Sequence, residues 1–212
     1  MPNGSLDKMI FGNLKKVFKW GQRYRVLRDV AAGLLYLHEE WEQCVVHRNI
    51  KSNNILLDLE FYKKLGYIAL ELIHTGKVNP TTDVFISGIL MLEVACGRRP
   101  VDPSLQPAYV VLVDWVRELD DNGSLKDAVD PNLGGQYVEA EMERVLKLGL
   151  LCSNPQPDSR PGTRQVLQTF EEEAPIADFE ASFHLEMSNT WRSPKCYSCS
   201  TDASISISLE GR

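Results

Sequence analysis

The sequence predicts a mainly α-helical domain, and three stretches carry that prediction. Residues 22–40 place Val26, Leu27, Val30, Ala31, Leu34 and Leu37 at spacings of three and four, which is one face of a helix. Residues 84–95 are apolar almost all round, with Val84, Phe85, Ile86, Ile89, Leu90, Met91, Leu92 and Val94. A helix with no polar face belongs in the middle of a domain. Residues 138–153 return to an amphipathic pattern, with Met142, Val145, Leu146, Leu148 and Leu151 inward.

The remaining elements fall between these. Pro2-Asn3-Gly4-Ser5 reads as a turn, with a helix starting at Ser5 or Asp7. Cys44-Val45-Val46 reads as a short buried strand or extended piece, and Ile55-Leu56-Leu57 as another short strand. Thr81-Thr82-Asp83 supplies cap-type residues for the apolar helix, and Gly97-Arg98-Arg99-Pro100 ends it. A further helix over residues 109–119 contains Trp115, which suits core packing better than a partner groove. Asp120-Asp121-Asn122-Gly123 stops that helix, residues 154–161 form a Pro-rich loop, and residues 163–172 form the last helix. No internal repeat appears. Beyond residue 174 Ser, Thr and single charges replace the periodic pattern, and residues 198–212 are Ser-rich. The expected organisation is one domain over residues 1–173 and a mostly disordered tail over residues 174–212.

Composition narrows the class. The chain has 212 residues, a formal charge of −6, 43% hydrophobic and 25% charged residues, which fits one globular domain with a tail. An acidic balance argues against nucleic acid or an anionic membrane as the main partner. Five cysteines at 44, 96, 152, 196 and 199 lack framework spacing, so a reducing, cytoplasmic setting is expected. Cys196 and Cys199 have no second pair of metal ligands nearby and read as incidental. His38 and His74 are lone histidines, His38 packing at a helix end. No secretory signal is visible, and the longest apolar stretch, residues 84–96, carries Glu93 and is too short to span a bilayer.

One segment carries chemistry. In His47-Arg48-Asn49-Ile50-Lys51-Ser52-Asn53-Asn54, a His-Arg pair precedes a polar residue, Lys follows two positions on, and Asn five positions on. Phosphoryl transfer to a hydroxyl uses a carboxylate that orients the nucleophile and takes its proton, and an oxygen ligand for magnesium. Protein-kinase catalytic loops read His-Arg-Asp, four residues, then Asn. The spacing here fits. Lys51 would sit at the transferred phosphate and Asn54 at magnesium, but position 49 holds an amide that cannot act as a base.

The order of further motifs resembles the C-terminal lobe of plant receptor-like Ser/Thr protein kinases. It is carried by Ala32-Gly33-Leu34-Leu35-Tyr36-Leu37-His38, by residues 47–58, by Gly66-Tyr67-Ile68-Ala69-Leu70-Glu71, by Thr82-Asp83-Val84-Phe85 and by Asp158-Ser159-Arg160-Pro161. Ala95-Cys96-Gly97-Arg98-Arg99-Pro100 and the Ser-rich end are similar to the legume-lectin-domain (L-type) receptor kinases. The resemblance implies a helical bundle around a buried central helix, with short β pieces near the catalytic loop. It implies that His47 braces the loop, that Arg48 meets a phosphorylated activation-loop residue, that Asp83 holds the loop backbone, and that Glu71 pairs with Arg160 in a buried ion pair.

The chain departs from that pattern in several places. No Gly-x-Gly-x-x-Gly and no Asp-Phe-Gly occurs in it. Between Asn54 and Glu71 only residues 55–70 intervene, too few for the metal-binding Asp and an activation loop, so an internal deletion between Asp58 and Leu65 is expected. Leu70 stands where the family has Pro, and Asn49 where it has Asp. ATP and Mg are the family's cofactors, and their binding here is expected to be weak or absent. The expected function is that of a truncated, inactive, pseudokinase-like interaction segment whose partners are intact receptor kinases or other signalling proteins. An active Ser/Thr kinase of receptor signalling, on the cytoplasmic side of a plasma-membrane receptor, is the alternative; a degenerate product without a stable role is the second.

Overall fold

A computed structural model describes residues 4–12, 18–57 and 80–171. Helix α1 spans Leu6–Phe11, α2 Trp20–Leu35, α3 Pro80–Cys96, α4 Leu112–Asp121, α5 Glu139–Cys152 and α6 Thr163–Phe170. Short 3₁₀ turns at Ser52–Asn54, Pro107–Tyr109, Leu125–Ala128, Pro131–Leu133 and Pro157–Ser159 link them. The Ser-rich tail, the proposed boundary near 174, Glu71 and His74 lie outside the described residues.

α3 is the axis of the bundle, as its composition requires. Val84, Leu90, Met91, Leu92, Val94, Ala95 and Cys96 are all buried, and Leu92, Val94 and Ala95 are fully so. α5 lies against it at very short range. A methyl group on Gly88 would come within 2.7 Å of Cys152 Cβ, and one on Gly149 within 2.7 Å of the Leu92 side chain. The two glycines are the contact surface where backbones of α3 and α5 cross, and side chains there would push the helices apart. α2 contributes Val26, Leu27, Val30, Ala31 and Leu34 to the same core, and α6 closes it with Val166 and Phe170. Trp115 on α4 packs partly buried against the core, with the Arg98 guanidinium 4.1 Å above its ring.

The structure alters three local expectations. Residues 44–46 form no strand: Cys44 is exposed, Val45 and Val46 are half-buried, and Val45 N–H goes to Leu37 O in the turn that ends α2, not to a strand edge. The Ile55-Leu56-Leu57 piece shrinks to one antiparallel bridge, Ser5 with Leu56, supported by Leu6 N–H to Ile55 O at 2.8 Å and Leu57 N–H to Gly4 O at 3.0 Å. Asp83 is not a cap: helical backbone is already present at Pro80, which puts Asp83 inside the first turn and frees its carboxylate for tertiary contacts. No helix among the described residues is long and apolar enough to cross a membrane.

A buried ion pair ties α2 to the turn after α4. Arg23 Nη2 lies 2.7 Å from Asp130 Oδ2, both side chains almost fully buried. The guanidinium also donates to Phe18 O at 2.9 Å and Val94 O at 2.8 Å. Two carbonyls and a carboxylate satisfy the cation that the interior would otherwise reject. Asp130 in turn accepts from Asn132 N–H at 2.9 Å. Its carboxyl lies beside Gly97, which has φ +62°; a Cβ there would meet that carboxyl at 2.4 Å.

Candidate functional site: a catalytic-type loop braced on the central helix

The loop over residues 47–54 is anchored by its apolar and hydroxyl members and presents its polar ones. Ile50 and Ser52 are buried, whereas Asn49, Lys51, Asn53 and Asn54 are exposed. Ser52 Oγ donates to Glu93 Oε1 at 2.7 Å in the interior. Glu93 is the one carboxylate in the middle of apolar α3, and burial pushes its carboxyl above the usual range.

Asp83 organises the loop backbone. Its fully buried carboxylate accepts from His47 N–H at 2.5 Å through Oδ2 and from Arg48 N–H at 2.7 Å through Oδ1. His38 Nε2 lies 3.0 Å from the same Oδ2. Three donors therefore converge on one charge from two directions, the loop and the end of α2. The segment Tyr36–Glu40 makes this possible: α2 loosens there into one π-helical turn, which swings His38 inward to α3.

Arg48 adopts φ +65°, the only non-glycine residue in the left-handed region among those described. That conformation is costly for a side chain with a Cβ, and the two bonds to Asp83 on either side hold it in place. Next to it, Asn49 N–H donates to His47 Nδ1 at 3.0 Å. That bond requires an unprotonated Nδ1. Burial lowers the basicity of the His47 imidazole, the Asp83 carboxylate opposing in part.

Asn54 and Asn49 face each other across the loop. Asn54 Nδ2 donates to Asn49 O at 3.0 Å, and Asn54 Oδ1, on an exposed residue, accepts no hydrogen bond among the described residues. An amide oxygen so held is the right donor for a hard cation. The Asn49 side chain is exposed and makes no hydrogen bond among the described residues. Lys51 projects from extended backbone between them, also exposed.

Arg160 sits apart from the loop, near the start of α3. It donates from Nε to Asn154 O at 2.7 Å, from Nη1 to Thr81 O at 2.9 Å and from Nη2 to Pro155 O at 3.3 Å, with its guanidinium 4.7 Å from the Phe85 ring centroid. Its expected partner Glu71 lies outside the described residues.

Two contacts escaped the sequence reading. His38 packs at a helix end as expected, and beyond that reaches Asp83. The Ser52–Glu93 pair went unnoticed, although a lone Glu in a helix otherwise apolar all round signals a buried carboxylate that must have a donor.

Residues 1–66 match the model of the protein tyrosine and serine/threonine kinase family. The chain is 46% identical over 207 residues to the L-type lectin-domain containing receptor kinase SIT2 of Oryza sativa subsp. japonica, taking in 86% of this chain and 31% of that protein. It is 40% identical over 230 residues to SIT1 of the same organism, taking in 97% and 34%, and 44% identical over 203 residues to L-type lectin-domain containing receptor kinase IV.3 of Arabidopsis thaliana, taking in 84% and 30%. The chain thus spans about a third of the length of these relatives. The SIT2 alignment is longer than the part of this chain in it: 86% of 212 residues is about 182, so about 25 of the 207 aligned positions have no counterpart here. The helical fold, the family-model match and the relatives together identify this chain as a member of the protein kinases, a kinase-domain segment similar to those of the L-type lectin-domain receptor kinases.

Proposed function

We propose that this chain is a pseudokinase-like interaction segment, which keeps the scaffold of a catalytic loop without transferring phosphate. The observation that carries the reading is the exposed amide of Asn49 at the position where the loop pattern requires a carboxylate. A neutral amide takes no proton from an incoming hydroxyl, and loss of a general base alone costs about 10²–10⁴ in rate. The missing Asp-Phe-Gly between Asn54 and Glu71 removes the metal-binding carboxylate, and a shortfall of about 25 positions against a relative accords with a deletion there.

The residues for ATP and Mg fit only in part. Asn54 Oδ1 would take one metal position and Lys51 would meet the transferred phosphate. No carboxylate stands beside them among the described residues of the loop. Bound magnesium would neutralise charge on the phosphates; this chain's own contribution is limited to one amide oxygen and one ammonium group. On this reading the segment works beside intact receptor kinases or other signalling proteins at the cytoplasmic face, through its folded surface.

The retained brace favours one second reading, residual nucleotide binding by an active-type loop. A thermal-unfolding titration with ATP and magnesium separates the two, because a ligand that binds only the native state raises the midpoint. The expected result is no shift and no phosphate transfer to a generic protein substrate. Turnover that disappears in Lys51→Ala would overturn the proposal.

A further inference from the structure

The π-helical turn that ends α2 leaves an aromatic corner on the surface. Tyr36 is 44% and Trp41 51% exposed. Their rings meet edge to face, centroids 5.5 Å apart and planes at 69°. Trp41 N–H donates to Tyr36 O at 2.9 Å, so the backbone itself holds the two rings together. Glu40 and Glu42 flank Trp41 in sequence; both are exposed, and their carboxylates make no hydrogen bond or ion pair among the described residues. Glu39 differs, being engaged by Arg164 Nε and Nη2 at 3.0 and 2.9 Å and by Thr163 Oγ1 at 3.0 Å.

We propose that this corner docks a cationic side chain, Arg or Lys, carried by a basic segment of a partner protein. An aromatic face attracts a cation through its quadrupole, and unpaired carboxylates beside it add Coulombic attraction. The same carboxylates repel anionic lipid headgroups and nucleic-acid phosphates, although an exposed Trp–Tyr pair would otherwise suit a membrane interface. The net charge of −6 acts in the same direction. The corner is also coupled to the catalytic-type loop: Val45 N–H donates to Leu37 O at 2.9 Å, two residues before His47. A partner held here would sit at the base of the loop. The inference is independent of whether the loop transfers phosphate.

The test uses the full chain and a fluorescein-labelled peptide of alternating Arg and Gly, read by fluorescence anisotropy. Expected is saturable binding that Trp41→Ala weakens about fivefold or more and Trp41→Phe largely retains. The double variant Glu40→Gln/Glu42→Gln should weaken binding and reduce its dependence on salt. All three positions are exposed, so the thermal midpoint serves as the control for folding. Absence of saturable binding overturns the proposal. So does binding indifferent to Trp41→Ala, which would mean diffuse attraction to an acidic chain. Trp41-dependent binding to phosphatidylserine vesicles in preference to the peptide would overturn it as well.

Discussion

Replacing Asp83 by Asn tests the brace on which the loop's shape depends. The substitution keeps size and shape and changes one acceptor oxygen into a donor. In the native protein both oxygens are engaged, Oδ1 by Arg48 N–H at 2.7 Å and Oδ2 by His47 N–H at 2.5 Å and His38 Nε2 at 3.0 Å. An amide can satisfy one side only. Whichever way it turns, its NH₂ faces a backbone N–H that has lost its partner. A hydrogen bond to a charged acceptor contributes about 1.5–3 kcal/mol, and an orphaned buried donor costs about 1–3 kcal/mol more, so the expected loss is about 3–4 kcal/mol. That is a large part of the roughly 5–15 kcal/mol that holds a domain folded. It should fall first on the loop, since the backbone bonds to Asp83 hold Arg48 at φ +65°. Urea unfolding followed by far-ultraviolet circular dichroism gives the global loss, and amide hydrogen exchange at residues 47–49 gives the local one. A loss below 1 kcal/mol with unchanged exchange at His47 and Arg48 would refute the brace.

Two further perturbations report on other parts of the scaffold. Gly97→Ala should destabilise by about 2–4 kcal/mol, since the new Cβ meets the Asp130 carboxyl at 2.4 Å in a left-handed backbone and disturbs the buried pair with Arg23; the urea midpoint measures it. Glu93 and His47 should give opposite pH slopes. The Glu93 carboxyl is raised by burial, so above its ordinary range near 4.5 the unfolded chain releases a proton that the native state keeps, and stability falls as pH rises until the native group ionises too. The His47 imidazole is lowered by burial, so stability falls as pH drops below about 6.5, where the unfolded chain gains a proton that the native state refuses. Unfolding midpoints across pH 4–7 for wild type and Glu93→Gln separate them: the variant should lose the fall in stability as pH rises above about 4.5 and keep the fall as pH drops below about 6.5. An unchanged profile would show that Glu93 ionises normally.

Much of this was legible in residue order. An interior helix announces itself when Val84 to Val94 offers no polar face, and the amphipathic periods of α2 and α5 follow from burying one stripe against it. The spacing from His47 to Asn54 located the loop, because those groups must lie within reach of one reacting phosphate. Strands at 44–46 and 55–57 were overestimated: apolar runs of three residues carry no information about a partner edge, and here only Leu56 finds a bridge. Asp83 was read correctly as a brace and incorrectly as a cap, since capping residues and first-turn residues look alike in sequence.

By itself, then, the sequence determined the helical bundle, its central helix and the amide at position 49, all of which depend on side-chain type and local period. Only the tertiary structure decided that His38 and the two loop N–H groups share the Asp83 carboxylate, that Ser52 answers the buried Glu93, and that Arg23 meets Asp130. Those partners are separated by 35 to 107 residues. A charge forced into the interior must find its complement in space, and nothing in the order of residues says which distant donor will be there.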